Sequence, residues 1–343
     1  MPSDDVSKTP MLRQYLEIKE QHKDAILFYR IGDFYEMFYE DAVVASKVLD
    51  IVLTSRNKND PNPVPLCGIP WHSSQSYLEK LVEKGFKVAI CDQVENPDTA
   101  KGIVKREVIR VVTPGLSASL ENSESSRSAP NHCLVALHKG EKNWGLALLE
   151  LGTGNFRVTE ITQDKESLLN ELLKISPREI VVSEKFDDTS LGLGSRFCLS
   201  RLPAWVWDET FARRVLYHQF QVATLSGFGC EEVPSAAIAA GAALHYAKET
   251  QRVDRFSHLT SLKRYERGTS MHLGEESRNN LSLNDLIELM DQTKTAMGRR
   301  CLKEWFYAPL LKKDPIERRL DAVEELLGQI GRASCRERVC QYV

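Results

Sequence analysis

The sequence lacks any apolar run long enough to span a bilayer, any large excess of charge of one sign, and any closely spaced cysteine pair. Apolar stretches such as Ala236–Ala240 fall far short of the ~20 residues of a transmembrane helix. The polar start, Met1–Pro10, does not resemble a secretory signal. The chain has 45 Lys and Arg residues against 48 Asp and Glu residues. This balance argues against binding of nucleic acid through an overall positive charge. The eight cysteines form no C-x-x-C pair, so we predict free thiols and a cytoplasmic protein.

The short motifs that identify many enzymes are also missing. The chain has no G-x-x-x-x-G-K-[ST] phosphate loop and no G-x-G-x-x-G. It has neither H-E-x-x-H nor G-x-S-x-G, and its eight histidines are scattered. We therefore predict that this chain contains no catalytic residue, no metal ligand and no cofactor site.

Hydrophobic periodicity predicts two α/β domains followed by helices. The first covers residues 1–115, and 116–130, rich in serine, is a predicted linker. A second α/β domain covers 131–255, and a helical region begins over 256–329. The predicted elements of the first domain are a helix from Thr9 to near His22, strands over Ala25–Ile31, Ile51–Thr54, Phe86–Cys91 and Val104–Val112, and helices over Tyr35–Leu49 and Ser73–Lys84. Gly68–His72 is predicted to be a rigid turn. Leu283–Tyr307 is predicted to be one helical stretch.

The last residues have an unusual composition. Ile330–Val339 reads IGRASCRERV, which resembles a sequencing adapter translated in one frame. We predict that residues 330–343 are a non-native tail and exclude them from the fold. The chain would then be the front part of a longer protein.

Three aromatic residues surround one carboxylate in the segment GDFYEMF, Gly32–Phe38. One interpretation is ordinary core packing below a strand-to-helix turn. The other is functional: an exposed ring at such a turn can enter a DNA base step, and an adjacent acid can accept a hydrogen bond from a base. Because DNA phosphates repel a negatively charged side chain, a carboxylate at this position is favourable only if it makes a specific hydrogen bond with a base.

Basic residues cluster at Lys101, Lys105, Arg106 and Arg110, with Glu107 as the opposing charge. A solvated strand face and a stripe that contacts phosphates both fit this pattern. Arg56, with Lys58 in the polar loop that follows, would extend such a stripe.

Several long segments resemble the MutS family of DNA mismatch-recognition ATPases, in the family's order and over nearly all of residues 9–329. They are LFYRIGDFYEMFYEDA (Leu27–Ala42), PLCGIPWHS (Pro65–Ser73), YLEKLVEKGFKVAICDQVENP (Tyr77–Pro97), KREVIRVVTPG (Lys105–Gly115), WGLALLELGTGNF (Trp144–Phe156), DQTKTAMGRR (Asp291–Arg300) and IERRLDAVEEL (Ile316–Leu326). The resemblance implies an α/β mismatch-recognition domain, a ribonuclease-H-like α/β connector domain and the start of an all-α lever domain.

The resemblance also implies roles for single residues. Phe34 would stack on the mispaired base and kink the DNA, Glu36 would hydrogen-bond the same base, and Tyr35 would pack inward. Arg56, Lys105, Arg106 and Arg110 are looser candidates for contacts with the DNA backbone.

The family's longer proteins bind ATP and Mg²⁺ through a C-terminal phosphate-loop domain, form homodimers and recruit MutL. This chain lacks that domain, so we expect no enzymatic activity of it. Its expected partner is double-stranded DNA with a mismatch or a small loop. One alternative is a MutS-like paralogue that binds structured DNA without mismatch selectivity, although such paralogues typically lack the F-x-E pair. A nuclease on the connector fold is a further alternative, for which Glu150 is the acid on the first connector strands.

Overall fold

The computed structural model describes residues 9–56, 63–95, 104–116, 133–265 and, with 266, 267, 269, 272 and 274 left out, 268–328. The predicted linker and tail, except for residue 116, lie outside these ranges. In the described part, two mixed sheets of six strands are each packed with helices, and further helices follow.

The first sheet has the strand order β3-β4-β2-β1-β5-β6. Its strands are β1 (Ala25–Ile31), β2 (Phe34–Phe38), β3 (Thr54–Arg56), β4 (Val64–Pro70), β5 (Lys87–Gln93) and β6 (Arg106–Val112). Strand β1 is parallel to β5 and antiparallel to β2. Helix α1 (Pro10–Gln21) covers one face of this sheet, and α2 (Tyr39–Leu49) and α3 (Ser74–Glu83) cover the other.

Two core clusters follow from the alternation of side chains along β1 and β2. Leu27, Tyr29 and Phe38 pack with Tyr15 of α1. The alternate residues, among them Tyr35, pack with α2 and α3 on the other face. A strand that is covered on both faces has a nearly continuous run of apolar residues, and Ala25–Ile31 shows this pattern.

The predicted helix over Tyr35–Leu49 is wrong in its first part. Phe34–Phe38 is a strand because it pairs on both sides, with β1 and with β4. The helix begins only at Tyr39, whose φ of 54° marks the change of direction. The predicted turn at Gly68–His72 is also wrong, since β4 continues to Pro70 and a 3₁₀ turn covers Trp71–Ser73.

The strand predicted at Ile51–Thr54 forms instead at Thr54–Arg56, where β4 supplies its partner. The predicted helical stretch Leu283–Tyr307 is two helices. They are separated at Asp291, which accepts hydrogen bonds from the amide and hydroxyl of Thr293. Such a side-chain turn competes with the helical hydrogen bonds at this point.

The second sheet has the order β11-β10-β7-β8-β9-β12. Its elements are β7 (Leu134–Lys139), β8 (Asn143–Glu150), β9 (Asn155–Thr162), α4 (Lys165–Ile175), β10 (Glu179–Ser183), β11 (Cys198–Leu202), α5 (Glu209–Phe220), α6 (Pro234–Gln251) and β12 (Lys263–Arg264). Strands β11 and β12, which the sequence analysis did not predict, are its two edges. Helix α6 lies against β8 so closely that a Cβ on Gly145 would be 1.9 Å from the Ser235 carbonyl oxygen.

A buried carboxylate joins the end of the first unit to the second. Glu179 accepts hydrogen bonds from the backbone N–H of Gly115 at 3.0 Å, from the Tyr246 hydroxyl at 2.6 Å and from the Ser200 hydroxyl. The Lys87 ammonium of β5 lies 5.7 Å from the centre of the Tyr246 ring. Helices α7 (Glu275–Asn280), α8 (Leu283–Met290), α9 (Ala296–Tyr307) and α10 (Lys313–Gly328) follow.

Candidate nucleic-acid interface

The hairpin between β1 and β2 places the F-Y-E segment at one end of the first sheet. Gly32 adopts a positive φ of 57°, which a glycine takes without the steric cost of a Cβ. The N–H of Trp71 donates a hydrogen bond to the carbonyl of Asp33 at 3.0 Å. This turn is therefore fixed both by its own backbone and by the residue that follows β4.

Phe34 and Glu36 lie on the same face of β2, because alternate residues of a strand share a face. Phe34 pairs with Ile31 and Pro70, and Glu36 pairs with Tyr29 and Gly68. The Phe34 ring, the first of the strand, is 48% exposed. The structure thus brings together the two residues of the predicted mismatch-binding pair.

The Glu36 carboxylate has an unusual environment. Its Oε2 atom is buried and has no hydrogen-bond partner among the described residues. Burial raises the pKa of this carboxyl, and the positive charge of Arg56 opposes the increase. A carboxyl group with a raised pKa is protonated more easily, and a protonated carboxyl can donate a hydrogen bond as well as accept one.

Tyr35 points to the opposite face and is buried, as the sequence analysis expected. Its ring centre lies 5.8 Å from that of Phe28, and its hydroxyl donates to the Asp92 carboxylate at 3.1 Å. Burial, supported by the negative charge of Asp92, raises the pKa of Tyr35 to about 12. Tyr35 anchors β2 to the sheet and leaves the exposed position to Phe34.

Arg106 and Lys105, two of the residues predicted to contact the DNA backbone, already interact with other groups of the protein. The Arg106 Nε donates to the carbonyl of Arg30 at 2.7 Å and its Nη1 to the carbonyl of Val104 at 2.9 Å, while the guanidinium lies 5.0 Å from the centre of the Tyr29 ring. Lys105 forms an exposed ion pair with Glu107 at 2.6 Å. Glu107 therefore balances Lys105 locally.

The other two residues predicted to contact the DNA backbone are Arg110 and Arg56. Arg110 lies on the opposite face of the sheet from Arg106, and Arg56 lies far from Arg106. Arg110 pairs with Ile90, whose side chain belongs to the core on the α2 and α3 face. Arg56 lies on β3, at the opposite edge of the sheet from β6. Its charge nevertheless acts on the Glu36 carboxyl, and its Nη1 lies 3.6 Å from the sulfur of Met11. The four cations therefore do not form one continuous stripe, and Lys58 and Lys101 lie outside the described residues.

The sequence analysis missed an aromatic residue and an arginine at the Phe34 end of the sheet. Trp71 is 45% exposed, and the guanidinium of Arg30 lies 4.4 Å from its ring centre. The same guanidinium lies 5.6 Å from the Tyr35 ring. A signal was present, because a strand ending at Pro70 places the next residue beside the hairpin turn, but GIPWH was interpreted only as a turn.

Acidic and apolar residues elsewhere in the described part of the chain bear on other kinds of site. No group of three or more His, Cys, Asp or Glu side chains there could hold a metal ion. Glu150, the acid of the nuclease alternative, accepts a hydrogen bond from the Thr153 hydroxyl at 3.1 Å and lies 3.9 Å from Arg157. None of the helices in the described ranges is both long and apolar enough to cross a membrane.

Comparison with known proteins gives three family matches in order along the chain. The models of MutS domain I, MutS domain II and MutS domain III match residues 9–121, 132–260 and 262–342. The first match contains Phe34, Glu36 and Trp71. The third extends into the segment that the sequence analysis interpreted as a non-native tail.

Similar curated proteins carry the name DNA mismatch repair protein MutS. The protein of Desulfatibacillum aliphaticivorans is 43% identical over 332 residues, which are 92% of this chain and 37% of that protein. The protein of Desulfosudis oleivorans is 44% identical over 345 residues, 96% of this chain and 39% of that protein. The chain thus spans less than two-fifths of the length of these relatives. On the three domain matches and these identities, the chain belongs to the MutS family.

Proposed function

We propose that this chain recognises mismatched or unpaired bases in double-stranded DNA, as the front part of a MutS-type mismatch repair protein. The observation that carries this proposal is the pair formed by Phe34 and Glu36. A half-exposed ring and a carboxyl with an unpartnered buried oxygen share one strand face, two residues apart. The names of the relatives and the match to MutS domain I support the same function.

The mechanism rests on the deformability of DNA. A mismatched or unpaired site costs less to kink and unstack than a paired one. The Phe34 ring enters the step from the minor groove, as apolar wedges do, and stacks on the displaced base. Glu36 then exchanges a hydrogen bond with that base through its carboxyl group. The wedge and the hydrogen bond together convert the difference in deformation energy into selectivity.

The complete protein would add functions that this chain does not carry. We propose that a C-terminal ATPase domain binds ATP and Mg²⁺ there, that the protein forms homodimers, and that it recruits MutL after finding a mismatch. In this scheme the described residues read the DNA, and the remaining domains hold it and signal. We place the protein in the cytoplasm.

The test compares binding to a duplex with a G·T pair or a one-base loop and to the matched duplex, using the protein with its C-terminal part restored. Phe34→Ala should abolish the preference, since base–aromatic stacking of ~1–3 kcal/mol corresponds to roughly 5- to 150-fold in affinity. Glu36→Ala should narrow the preference and tighten binding of matched DNA, because a charge that repels phosphates is removed.

Ile109→Ala is the matched control, since Ile109 is 44% exposed in the same domain but lies on β6. It should leave the preference unchanged. Full mismatch preference in Phe34→Ala would show that Phe34 is not the wedge. Equal binding of both duplexes by the unaltered protein would instead favour a paralogue without mismatch selectivity.

A further inference from the structure

One end of the first sheet presents a row of residues that the strand register aligns. Pro70, Phe34 and Ile31 pair with each other in sequence across β4, β2 and β1. Trp71 directly follows Pro70, and its exposed ring therefore lies at the same end as the Phe34 ring. These are two large, exposed rings beside one hairpin turn.

The Trp71 ring is held in place by its neighbours. Its backbone N–H is bonded to Asp33 and its carbonyl accepts the Ser74 hydroxyl at 2.7 Å. The Arg30 guanidinium lies against the ring, and the Arg30 Nε donates to the carbonyl of Gly32. A preorganised side chain loses less entropy on binding than a mobile one, so Trp71 is suited to contact a ligand.

The contacts of Arg30 show on which side of the hairpin the Trp71 ring lies. Arg30 pairs with Tyr35, and its guanidinium lies 5.6 Å from the Tyr35 ring and 4.4 Å from the Trp71 ring. Tyr35 faces away from Phe34, so the Trp71 ring lies toward the other side of the hairpin, at the same end of the sheet. The minor groove is only about 6 Å wide, so when Phe34 enters the groove, a ring on the other side of the hairpin meets the wall of the groove and not its floor.

We propose that Trp71, positioned by Arg30, contacts the sugar–phosphate backbone beside the base pair that Phe34 enters. The indole packs on a deoxyribose, and the Arg30 charge attracts the adjacent phosphate. This assignment rests on the proposed function, whose DNA duplex it extends along the groove. Arg30 also supplies a cation at the hairpin end of the sheet, whereas Arg106 is bound to protein carbonyls and Lys105 is paired with Glu107.

Contacts with the backbone carry no sequence or mismatch information. Trp71 should therefore contribute equally to matched and mismatched duplexes, in contrast to Phe34. Removing the Arg30 charge should lower the dependence of affinity on salt by about one unit of the log–log slope. These two properties distinguish a backbone contact from a second mismatch reader.

The experiment measures fluorescence anisotropy of labelled matched and one-base-loop duplexes with the full 343-residue chain over a range of salt concentrations. Non-specific binding with a Kd of roughly 10⁻⁴–10⁻⁶ M at physiological salt tightens at low salt, which brings it into range. The variants are Trp71→Ala, Trp71→Phe, Arg30→Gln and the control Trp205→Ala. Trp205 is 55% exposed and belongs to the second α/β unit. Thermal unfolding of each variant is measured in parallel.

Trp71→Ala should weaken binding of both duplexes by the same factor, roughly fivefold, as expected from the lower end of aromatic stacking energies. Trp71→Phe should retain most of the affinity, and Trp205→Ala should bind as the unaltered chain does. Unchanged affinity of a folded Trp71→Ala, or a loss confined to the looped duplex, would overturn the assignment, as would an absence of DNA binding by the unaltered chain. Equal affinity of the unaltered chain for both duplexes contradicts only the proposed mismatch function, since the Trp71 effect can still be measured on either duplex.

Discussion

Replacing Glu36 by glutamine should stabilise the first α/β unit at neutral pH. The Oε2 atom of Glu36 is buried without a partner, and burial raises the pKa of the carboxyl above its ordinary value of 4.5. A raised pKa means that the folded state binds the proton more tightly than the unfolded state. The ionised form therefore destabilises the fold, and stability is lost as the pH rises above 4.5.

The size of the effect follows from the environment of this side chain. An unpaired buried polar group costs about 1–3 kcal/mol, and more when it is charged. Glutamine keeps the shape and leaves its amide equally unpaired, so only the difference between charged and neutral forms is recovered. Because the Glu36 side chain is partly exposed and Arg56 offsets some of the cost, we expect a gain of about 0.5–1 kcal/mol at pH 7. Well below pH 4.5 the gain should vanish.

Amide hydrogen exchange of peptides from β1 and β2 measures this gain, because it reports the opening of one region in a chain of several domains. Each variant is compared with the unaltered chain at the same pH, so intrinsic exchange rates cancel. Glu107→Gln is the matched control of opposite sign. Lys105 lowers the pKa of Glu107, and the ion pair that stabilises this exposed carboxylate at neutral pH is lost. A loss of protection in Glu36→Gln at pH 7, or an equal effect at both pH values, would refute the reasoning.

Neutralising either of two other buried carboxylates should destabilise the protein, because the oxygens of these carboxylates accept hydrogen bonds from protein groups. Asp41 accepts from Tyr15, from Lys19 at 2.8 Å and from the Leu27 N–H, so Asp41→Asn should destabilise the first unit by about 2–4 kcal/mol in hydrogen exchange. Asp50→Asn, at an exposed left-handed position that asparagine also accepts, should change nothing measurable, and equal effects of both would contradict the role of Asp41. Glu179→Gln should cost a similar ~2–4 kcal/mol in the second unit and increase exchange at Gly115; normal protection there would show that the carboxylate does not hold the two units together.

Local sequence patterns correctly predicted those helices and strands whose type does not depend on pairing with a distant strand. The apolar run Ala25–Ile31 and the helices α1 and α3 were predicted within about one residue of where the structure has them. Tyr35–Phe38 is predicted to be the start of a helix because Tyr35–Leu49 has helical periodicity. Only its partners, β1 and β4, make it a strand, and β4 is separated from it by some thirty residues of sequence. Long-range pairing of this kind overrides local propensity.

The two parts of the predicted site differ in the same way. Phe34 and Glu36 are two residues apart on one strand, so their common face follows from local geometry. The directions and partners of the basic side chains depend on parts of the chain that are distant in sequence. A β-bulge between Ile90 and Cys91 shifts the register of β6 and turns Arg110 to the other face. No local pattern shows that the carbonyl of Arg30 would take Arg106 as its donor.

The register of one hairpin therefore decides whether the site exists. A slip of one residue in β2 would turn every side chain over, bury Phe34 and expose Tyr35. One backbone conformation and two hydrogen bonds oppose that slip: the positive φ of Gly32, the hydrogen bond from the Tyr35 hydroxyl to Asp92, and the hydrogen bond from the Trp71 N–H to the Asp33 carbonyl. Each of them lies outside the F-x-E pair itself. Because Tyr35 holds the register that exposes Phe34, the middle residue of the motif supports the proposed DNA-recognition site from inside the protein core.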